Sequence, residues 1–251
     1  MTKIALVTGA SAGFGQAIVK KLVADGYHII GAARRFEHLK NLQAELGDDK
    51  FYPLQMDISK SEQIDAALAS LPENWQAIDL LVNNAGLALG LDKAYEADFS
   101  DWLTMINTNI IGTSYLTRQL LPQMVKRNTG MIINLGSTAG TIPYPGANVY
   151  GASKAFIKQF SLNLRADLAG TKIRITNIEP GLCEGTEFSN VRFKGDGDKA
   201  TQLYRGAHAI KPEDIANTVS WIVNQPTHIN INRIEMMPVS QSFGAQPISR
   251  D

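Results

Sequence analysis

The sequence predicts an α/β protein built on a Rossmann-type doubly wound parallel sheet with helices on both faces. Short apolar runs alternate with longer amphipathic stretches along the 251 residues, which is the rhythm of repeated strand–helix–strand units. The runs are almost continuously apolar, as is typical of strands buried on both faces of a parallel sheet. No linker interrupts the alternation, so we predict a single domain over residues 1–251.

Four strands are predicted in the first third of the chain from apolar runs, and the helices between them from apolar residues three or four positions apart. Gly26 and Gly47 follow two of these helices, at the position where glycine commonly ends a helix. The predicted strands are Ile4–Thr8, His28–Ala32, Phe51–Gln55 and Ile78–Asn83, and the predicted helices are Gln16–Asp25, Phe36–Leu46 and Ser61–Ser70.

The remainder continues this pattern with one interruption. Pro212 occupies the first turn of its helix, where proline is favoured. The predicted helices are 99–126, Tyr150–Leu168 and Pro212–Asn224, and the predicted strands are Gly130–Leu135, Lys172–Ile178 and Arg233–Met236. The interruption is the segment 181–211, which is rich in glycine and charge and has a weak helical signal. A segment of that length in a compact domain is usually a functional lid or disordered, and we predict a substrate lid.

Composition excludes several classes of function. The 24 basic and 24 acidic residues balance, which does not favour a nucleic-acid or anionic-membrane partner. No apolar stretch reaches the ~20 residues of a membrane span. The four histidines are scattered and Cys183 is the single cysteine, so we expect neither a metal site nor a disulfide within the chain. We therefore expect a soluble, cytoplasmic protein.

A glycine-rich loop joins the first strand to the first helix. Gly9, Gly13 and Gly15 allow a tight turn and close approach of a pyrophosphate to the helix N-terminus, whose N–H groups and dipole favour anions. Glycines also make ordinary tight turns, but their place between a strand and a helix favours dinucleotide binding.

Two arginines follow the second predicted strand and indicate which dinucleotide binds. An enzyme that uses NAD commonly places a carboxylate there for the ribose 2′-hydroxyl, whereas this chain has Arg34 and Arg35. A guanidinium can bind a 2′-phosphate through paired, charge-assisted hydrogen bonds. We therefore predict NADP(H) as the cofactor, against the alternative that both arginines only begin a solvated helix.

A phenol, an ammonium group and a hydroxyl form the candidate catalytic set. Tyr150 and Lys154 are four residues apart and share one helix face, and Ser137 follows a buried strand. Lys154 would lower the pKa of the Tyr150 phenol so that it can exchange a proton with a substrate oxygen, which Ser137 would bind. Taken alone, the tyrosine could be half-buried packing and the lysine a solvated residue.

These motifs together resemble the short-chain dehydrogenase/reductase family over the whole chain. The motifs are Thr8–Gly15, Asn83–Gly86, Ser137, Tyr150-x-x-x-Lys154 and Pro180–Gly181. The stretches Asn83–Gly90 and Gly185–Gly195 resemble its NADP-dependent serine and 3-hydroxy acid dehydrogenases, with Cys183 as a departure. The resemblance implies hydride transfer between NADP(H) and small 3-hydroxy acids such as L-serine, L-allo-threonine, 3-hydroxypropionate or 3-hydroxybutyrate, and it implies a homotetramer.

The resemblance also implies site residues that the motifs alone do not. Asn109 would be the fourth catalytic residue, holding a water that links Lys154 to solvent. Lys154 would also hold the nicotinamide ribose. Further cofactor-binding residues would be Ser11, Phe14, Asp57, Ile58, Asn84, Ala85, Gly86, Pro180, Gly181, Leu182 and Thr186.

The choice of substrate is expected to depend on the lid and its approach. Arg192 lies between apolar neighbours in the lid and is a candidate for binding a substrate carboxylate, against the alternative of a solvated charge. Glu179 is a weaker candidate for pairing with the amino group of serine, and it could instead order the lid. Two other functions stay open, a general NADPH-dependent carbonyl reductase and a non-catalytic NADP(H)-binding sensor.

Overall fold

Seven parallel strands form the sheet of this protein, in the order β3-β2-β1-β4-β5-β6-β7. The structure is a computed structural model that describes residues 2–202 and 204–244, without the side chains of residues 199–201. The strands are β1 Ile4–Thr8, β2 His28–Ala33, β3 Phe51–Gln55, β4 Ile78–Asn83, β5 Gly130–Leu135, β6 Ile173–Pro180 and β7 Arg233–Met236. This order confirms the predicted doubly wound parallel sheet, in which the direction of winding reverses between β1 and β4.

Helices cover both faces of the sheet, as predicted. They are α1 Gly13–Ala24, α2 Phe36–Leu46, α3 Ser61–Ala69, α4 Phe99–Met105, α5 Thr113–Arg127, α6 Asn148–Asp167, α7 Phe188–Arg192, α8 Gly197–Gln202 and α9 Pro212–Val223. Short 3-10 turns lie at Glu73–Trp75 and Thr138–Gly140. The helices α7 and α8 lie in the segment predicted as a lid, where the sequence has little helical periodicity.

The predicted helix 99–126 has an irregular middle. A π-helical segment, Ile106–Gly112, joins α4 to α5. Such segments insert an extra residue into a helical turn and commonly lie at functional sites. A periodicity of 3.6 residues does not reveal this insertion, so the sequence predicted an uninterrupted helix.

Two apolar layers hold the helices on the sheet because successive strand residues face opposite sides. In β1, Val7 packs in the layer that contains residues of α1, α2 and α9. Its neighbour Leu6 packs in the layer that contains residues of α3, α5 and α6. Burying each such side chain contributes ~1.5–3 kcal/mol, so both layers fix the strand ends that carry the site.

Some predictions extend beyond the described residues. The predicted domain includes residues 1, 203 and 245–251, which lie outside them, and residue 203 also falls in the predicted lid. Within residues 2–202 and 204–244, no helix is long and apolar enough to cross a membrane. The same residues contain no group of three or more histidine, cysteine or acidic side chains arranged to hold a metal ion.

Candidate active site

A cleft of about 940 Å³ opens along the carboxyl ends of the strands. Its walls are the segments that follow β1 to β6, including the lid. Ligands of open α/β sheets bind at this edge, beside the reversal of strand order, and the volume is in the range of small-molecule and cofactor sites. The fold therefore places the candidate residues from distant parts of the chain in one cavity.

The glycine loop lines the cleft, and Asn84, which follows β4, hydrogen-bonds its backbone. Gly9 and Gly13 have positive φ angles of 66° and 53°, which favour glycine. The Asn84 side-chain amide donates to the Thr8 carbonyl oxygen at 2.8 Å. A Cβ atom on Gly15 would lie 2.1 Å from the Gly9 carbonyl oxygen, so Gly15 permits close packing of α1 on the loop and does not line the cleft.

Two arginines lie at one end of the cleft. Arg34 and Arg35 both line it, as do Asp57 and Ile58. The Arg35 guanidinium donates to both carboxylate oxygens of Glu187 in the lid, at 2.9 and 2.7 Å. These hydrogen bonds raise the pKa of Arg35 and lower the pKa of Glu187. Both arginines that the sequence predicted to bind a 2′-phosphate therefore line the cleft.

The phenol and ammonium predicted to be catalytic meet at the other end of the cleft. The Lys154 Nζ atom lies 5.8 Å from the centroid of the Tyr150 ring and donates to the Leu135 carbonyl oxygen at 2.7 Å. Ser137 also lines the cleft, and its hydroxyl donates to the Pro180 carbonyl oxygen at 3.4 Å. The three side chains therefore converge as the sequence predicted.

Burial dominates the acid–base properties of this end. It raises the pKa of Tyr150, while the nearby Ser137 hydroxyl and the charge of Arg192 act in the lowering direction. Burial also lowers the pKa of Lys154 to about 8. The sequence predicted a lowered pKa for the phenol because of Lys154, whereas desolvation of the buried phenol outweighs the neighbouring groups.

Asn109 is buried beside the site, on the π-helical segment. Its side-chain amide donates to the Leu87 carbonyl oxygen at 2.9 Å and to the Ser153 hydroxyl at 3.0 Å, and its oxygen accepts from the Leu87 N–H at 3.0 Å. A Cβ atom on Gly86 would lie 3.3 Å from the Asn109 oxygen and 3.5 Å from Lys154 Nζ. Asn109 does not line the cleft, but it adjoins the Lys154 ammonium through Gly86.

The lid places Arg192 over the catalytic end. The Arg192 guanidinium carbon lies 5.5 Å from the centroid of the Tyr150 ring and 5.4 Å from that of Tyr144. Its Nη2 atom donates to the Tyr144 hydroxyl at 2.9 Å, and its Nε atom to the Gly90 carbonyl oxygen at 3.3 Å. Arg192 is only 9% exposed, so it is not the solvated charge of the alternative reading.

Glu179 does not reach the cleft. It is 1% exposed, and its two oxygens accept from Nε and Nη2 of Arg233 on β7 at 2.7 and 2.6 Å. Asn177 donates to the same carboxylate at 2.7 Å. The structure therefore gives the hypothesis of a substrate ammonium partner no support, because the carboxylate is buried in an internal ion pair.

Several residues of the cleft escaped the sequence prediction. Tyr144 and Glu187 pair with predicted arginines, and the Phe188 ring lies 5.6 Å from that of Tyr150. Their only signal in the sequence is their place in the lid or just before the Tyr150 helix.

The other predicted cofactor residues all line the cleft: Ser11, Phe14, Ala85, Gly86, Pro180, Gly181, Leu182 and Thr186. Cys183 does too, but burial raises the pKa of its thiol to about 12, which disfavours a nucleophilic thiolate.

Comparison with known proteins gives consistent relatives along the whole chain. A family model described as short chain dehydrogenase matches residues 3–196. A probable NADP-dependent dehydrogenase of Haemophilus influenzae is 59% identical over 250 residues, covering 100% of this chain and 99% of that protein. An NADP-dependent 3-hydroxy acid dehydrogenase of Escherichia coli is 55% identical over 247 residues, covering 98% of this chain and 99% of that protein. The closed form of a serine dehydrogenase complexed with NADP+ superposes with a TM-score of 0.97 at 54% identity, covering 99% of this chain and 100% of that one.

Proposed function

This chain belongs to the short-chain dehydrogenase family, and we propose that it transfers a hydride between NADP(H) and the 3-hydroxyl group of small 3-hydroxy acids. One observation carries the proposal: a single cleft joins Arg34 and Arg35 at one end to Tyr150, Lys154 and Ser137 at the other. A cofactor that carries a phosphate and a redox ring would match these two ends.

The residues of the cleft fit NADP(H). The glycine loop would admit the pyrophosphate to the N-terminus of α1, since a Cβ atom on Gly13 would lie 3.2 Å from the Thr186 side chain. Arg34 and Arg35 would bind the 2′-phosphate, Asp57 and Ile58 would flank the adenine, and Lys154 would hold the nicotinamide ribose. The cofactor supplies the hydride acceptor for the alcohol, or the hydride donor for the carbonyl.

Tyr150 is the proposed proton-transfer group. In the oxidation direction its phenolate would accept the proton of the substrate hydroxyl, and in reduction its phenol would return a proton to the carbonyl oxygen. Such proton transfer typically contributes roughly 10²–10⁴ in rate. A buried phenol is a poor base, so cationic neighbours must favour the phenolate. Arg192 lies 5.5 Å from the ring centroid, and Lys154 lies on the next turn of α6.

Ser137 and Asn109 complete the proposed catalytic set. The Ser137 hydroxyl would hydrogen-bond the reacting substrate oxygen and stabilise its developing negative charge. Asn109 would hold a water that links the Lys154 ammonium to solvent, so that the proton taken by Tyr150 can leave the site. The position of Asn109 on the π-helical segment supports this role, because only Gly86 lies between its side chain and the Lys154 ammonium.

Arg192 is the proposed ligand of the substrate carboxylate. The segment 181–211 acts as the lid in this proposal, and its Arg192 guanidinium carbon lies 5.5 Å from the centroid of the Tyr150 ring. A hydrogen bond to a charged group contributes about 1.5–3 kcal/mol, which is enough to favour acids over neutral alcohols. Glu179 has no part in the proposal, because Arg233 already occupies its carboxylate.

The experiment is a substrate panel that follows NADPH formation by absorbance. L-Serine, L-allo-threonine, 3-hydroxypropionate, 3-hydroxybutyrate and a neutral alcohol are compared with NADP and with NAD, for the wild type and Tyr150→Phe. We expect turnover of the 3-hydroxy acids with NADP, and its loss in the variant without loss of NADPH binding. Preference for the neutral alcohol would instead indicate a general carbonyl reductase. NADPH binding without any turnover would indicate a sensor.

We also propose that the protein is a homotetramer. Exposed apolar side chains on α4, α5 and α6 support this assembly, because patches of this kind commonly mark protein interfaces. They include Phe99, Leu103, Val125 and Phe156.

The cytoplasm is the proposed place of action. A single cysteine, Cys183, is half-buried and unpaired, which fits a reducing compartment where disulfides are rare. Fractionation of cells and detection of the protein with an antibody would test this location.

A further inference from the structure

Glu187 of the lid forms an ion pair with the Arg35 guanidinium, the group that would bind the 2′-phosphate in the proposed complex. The Arg35 Nη1 atom donates to Glu187 Oε1 at 2.9 Å, and Nη2 donates to Oε2 at 2.7 Å. The Nη2 atom also donates to the Ser11 hydroxyl at 3.2 Å. A bidentate contact of this kind uses both terminal nitrogens of the guanidinium. The Glu187 carboxylate therefore binds the same two nitrogens with which Arg35 would bind a phosphate.

The charges make the two occupants competitors. A phosphate monoester carries about −1.5 to −2 charges near neutral pH, and Glu187 carries one negative charge at the same guanidinium. Arg34 lines this end of the cleft as well and adds a second cation for the phosphate. The Arg35 and Glu187 side chains are 42% and 54% exposed, so their ion pair is weak and can exchange partners.

The position of Glu187 ties this exchange to the lid. Glu187 immediately precedes α7, and Arg192 ends the same helix over Tyr150. Phe188, the first residue of α7, also packs near the Tyr150 ring. The ion pair therefore links Arg35 to the beginning of a helix whose other residues cover the catalytic end of the cleft.

We propose that Glu187 is an internal substitute for the 2′-phosphate of NADP(H). It holds Arg35 and α7 together in the cofactor-free protein, yields Arg35 when the 2′-phosphate binds, and takes Arg35 back when the cofactor leaves. Glu187 thus weakens NADP(H) binding and promotes its release, while cofactors without a 2′-phosphate leave the pair intact. This inference rests on the proposed use of NADP(H).

The test compares Glu187→Gln with the wild type by calorimetric titration of 2′,5′-ADP and 5′-AMP. These fragments differ at the 2′-position and lack the nicotinamide, so they report on the Arg35 end without any contribution from catalysis. We expect 2′,5′-ADP to bind about three- to tenfold more tightly to the variant, since one charge at an exposed site is removed. Binding of 5′-AMP should be unchanged, and NADPH should dissociate more slowly in stopped-flow measurements.

The matched control is Glu184→Gln, which removes another lid carboxylate that does not line the cleft. We expect wild-type binding of both fragments by this control. Unchanged or weaker binding of 2′,5′-ADP by Glu187→Gln would overturn the inference. An equal gain for 5′-AMP, or for the Glu184→Gln control, would also overturn it because the effect would then be a general one of charge. Failure of the wild type to bind 2′,5′-ADP more tightly than 5′-AMP would instead contradict the proposed cofactor.

Discussion

Lys154 combines a buried position with a positive charge that the proposed mechanism uses. Its side chain is 8% exposed, and its ammonium donates to the Leu135 carbonyl oxygen at 2.7 Å. Desolvation disfavours the charged form, which lowers the pKa of Lys154 to about 8. In the proposed mechanism the same charge favours the Tyr150 phenolate, so Lys154 would serve the chemistry at a cost in stability.

Replacing Lys154 by methionine should therefore stabilise the cofactor-free protein at about pH 7. We expect a gain of about 1–2 kcal/mol, because relief of the buried charge exceeds the lost hydrogen bond to Leu135. Between the folded pKa of about 8 and the ordinary value of 10.5, the unfolded chain holds a proton that the folded protein has released. Wild-type stability consequently rises with pH across this window, and the gain of the variant should shrink.

Urea unfolding of both proteins at about pH 7 and about pH 10 measures this effect. Lys158→Met is the matched control one turn further along α6, where the lysine is half-buried and bonds a side-chain hydroxyl. A Lys154→Met protein less stable than the wild type at about pH 7 would show that the hydrogen bond, and not burial, dominates.

Arg192 gives the second prediction at the scale of a residue. Arg192→Ala should lower kcat/KM for 3-hydroxy acids by about 10- to 100-fold, the loss expected for a hydrogen bond to a charged group. Activity on a neutral alcohol should fall less, since that substrate has no carboxylate and loses only the effect of Arg192 on the Tyr150 phenolate. Steady-state kinetics of both substrates measure the difference, with Arg205→Ala as the exposed lid control. Equal loss on acid and alcohol would argue against carboxylate recognition.

At the scale of the element, the first loop and α1 depend on close contact between backbones. Gly15 lies within α1, where a Cβ atom would be 2.1 Å from the Gly9 carbonyl oxygen and 2.7 Å from the Asn84 side chain. Asn84 in turn fixes the loop through the Thr8 carbonyl oxygen. The shape of the loop thus depends on a glycine that does not line the cleft.

Gly15→Ala should consequently destabilise the protein by about 1–3 kcal/mol, as overpacking of a rigid site does. It should also weaken NADPH binding, because the loop must move. Urea unfolding and fluorescence titration measure the two effects. Gly197→Ala is the control, since a Cβ atom there has no described neighbour within 4 Å. A stable Gly15→Ala protein with unchanged NADPH affinity would contradict the role of this contact.

The sequence predicted those parts of the site that depend on local spacing. Tyr150 and Lys154 share a helix face wherever that helix lies, and the glycine loop follows from its place between β1 and α1. Tyr144 beside Arg192, Glu187 on Arg35 and Arg233 on Glu179 depend on how separate loops and strands meet. The π-helical turn around Asn109 also has no periodic signal. The local sequence pattern was therefore sufficient to predict the fold, whereas the side-chain contacts of the lid and of Glu179 depend on tertiary structure.

At the scale of the whole molecule, exposed apolar side chains on α4 to α6 suggest where copies of the chain meet. Phe156 is 37% exposed and stacks on Phe160 with ring centroids 5.5 Å apart. Val125 on α5 is 42% exposed. Exposed apolar surface commonly marks the place where a protein contacts another protein.

Phe156→Glu should therefore reduce the proposed tetramer to smaller species, because a carboxylate in an apolar interface is costly. Light scattering coupled to size-exclusion chromatography measures the mass in solution. Tyr95→Glu, at an exposed aromatic outside these helices, is the control. A wild type that is already monomeric, or a Phe156→Glu protein of unchanged mass, would contradict the proposed assembly.

The reversal of strand order also has a consequence for the time at which the protein can fold. β1 pairs with β4, so Leu6 lies beside Leu81 and Val7 beside Val82. Asn84, which follows β4, hydrogen-bonds the backbone at the start of the glycine loop. Pairings between such distant parts of a chain slow folding and leave apolar strands uncovered meanwhile. On the ribosome, β1 can pair early with β2 on one edge, but its other edge stays unpaired until β4 has been synthesised. The glycine loop, although it precedes β4 in the sequence, would be among the later features to acquire its final shape.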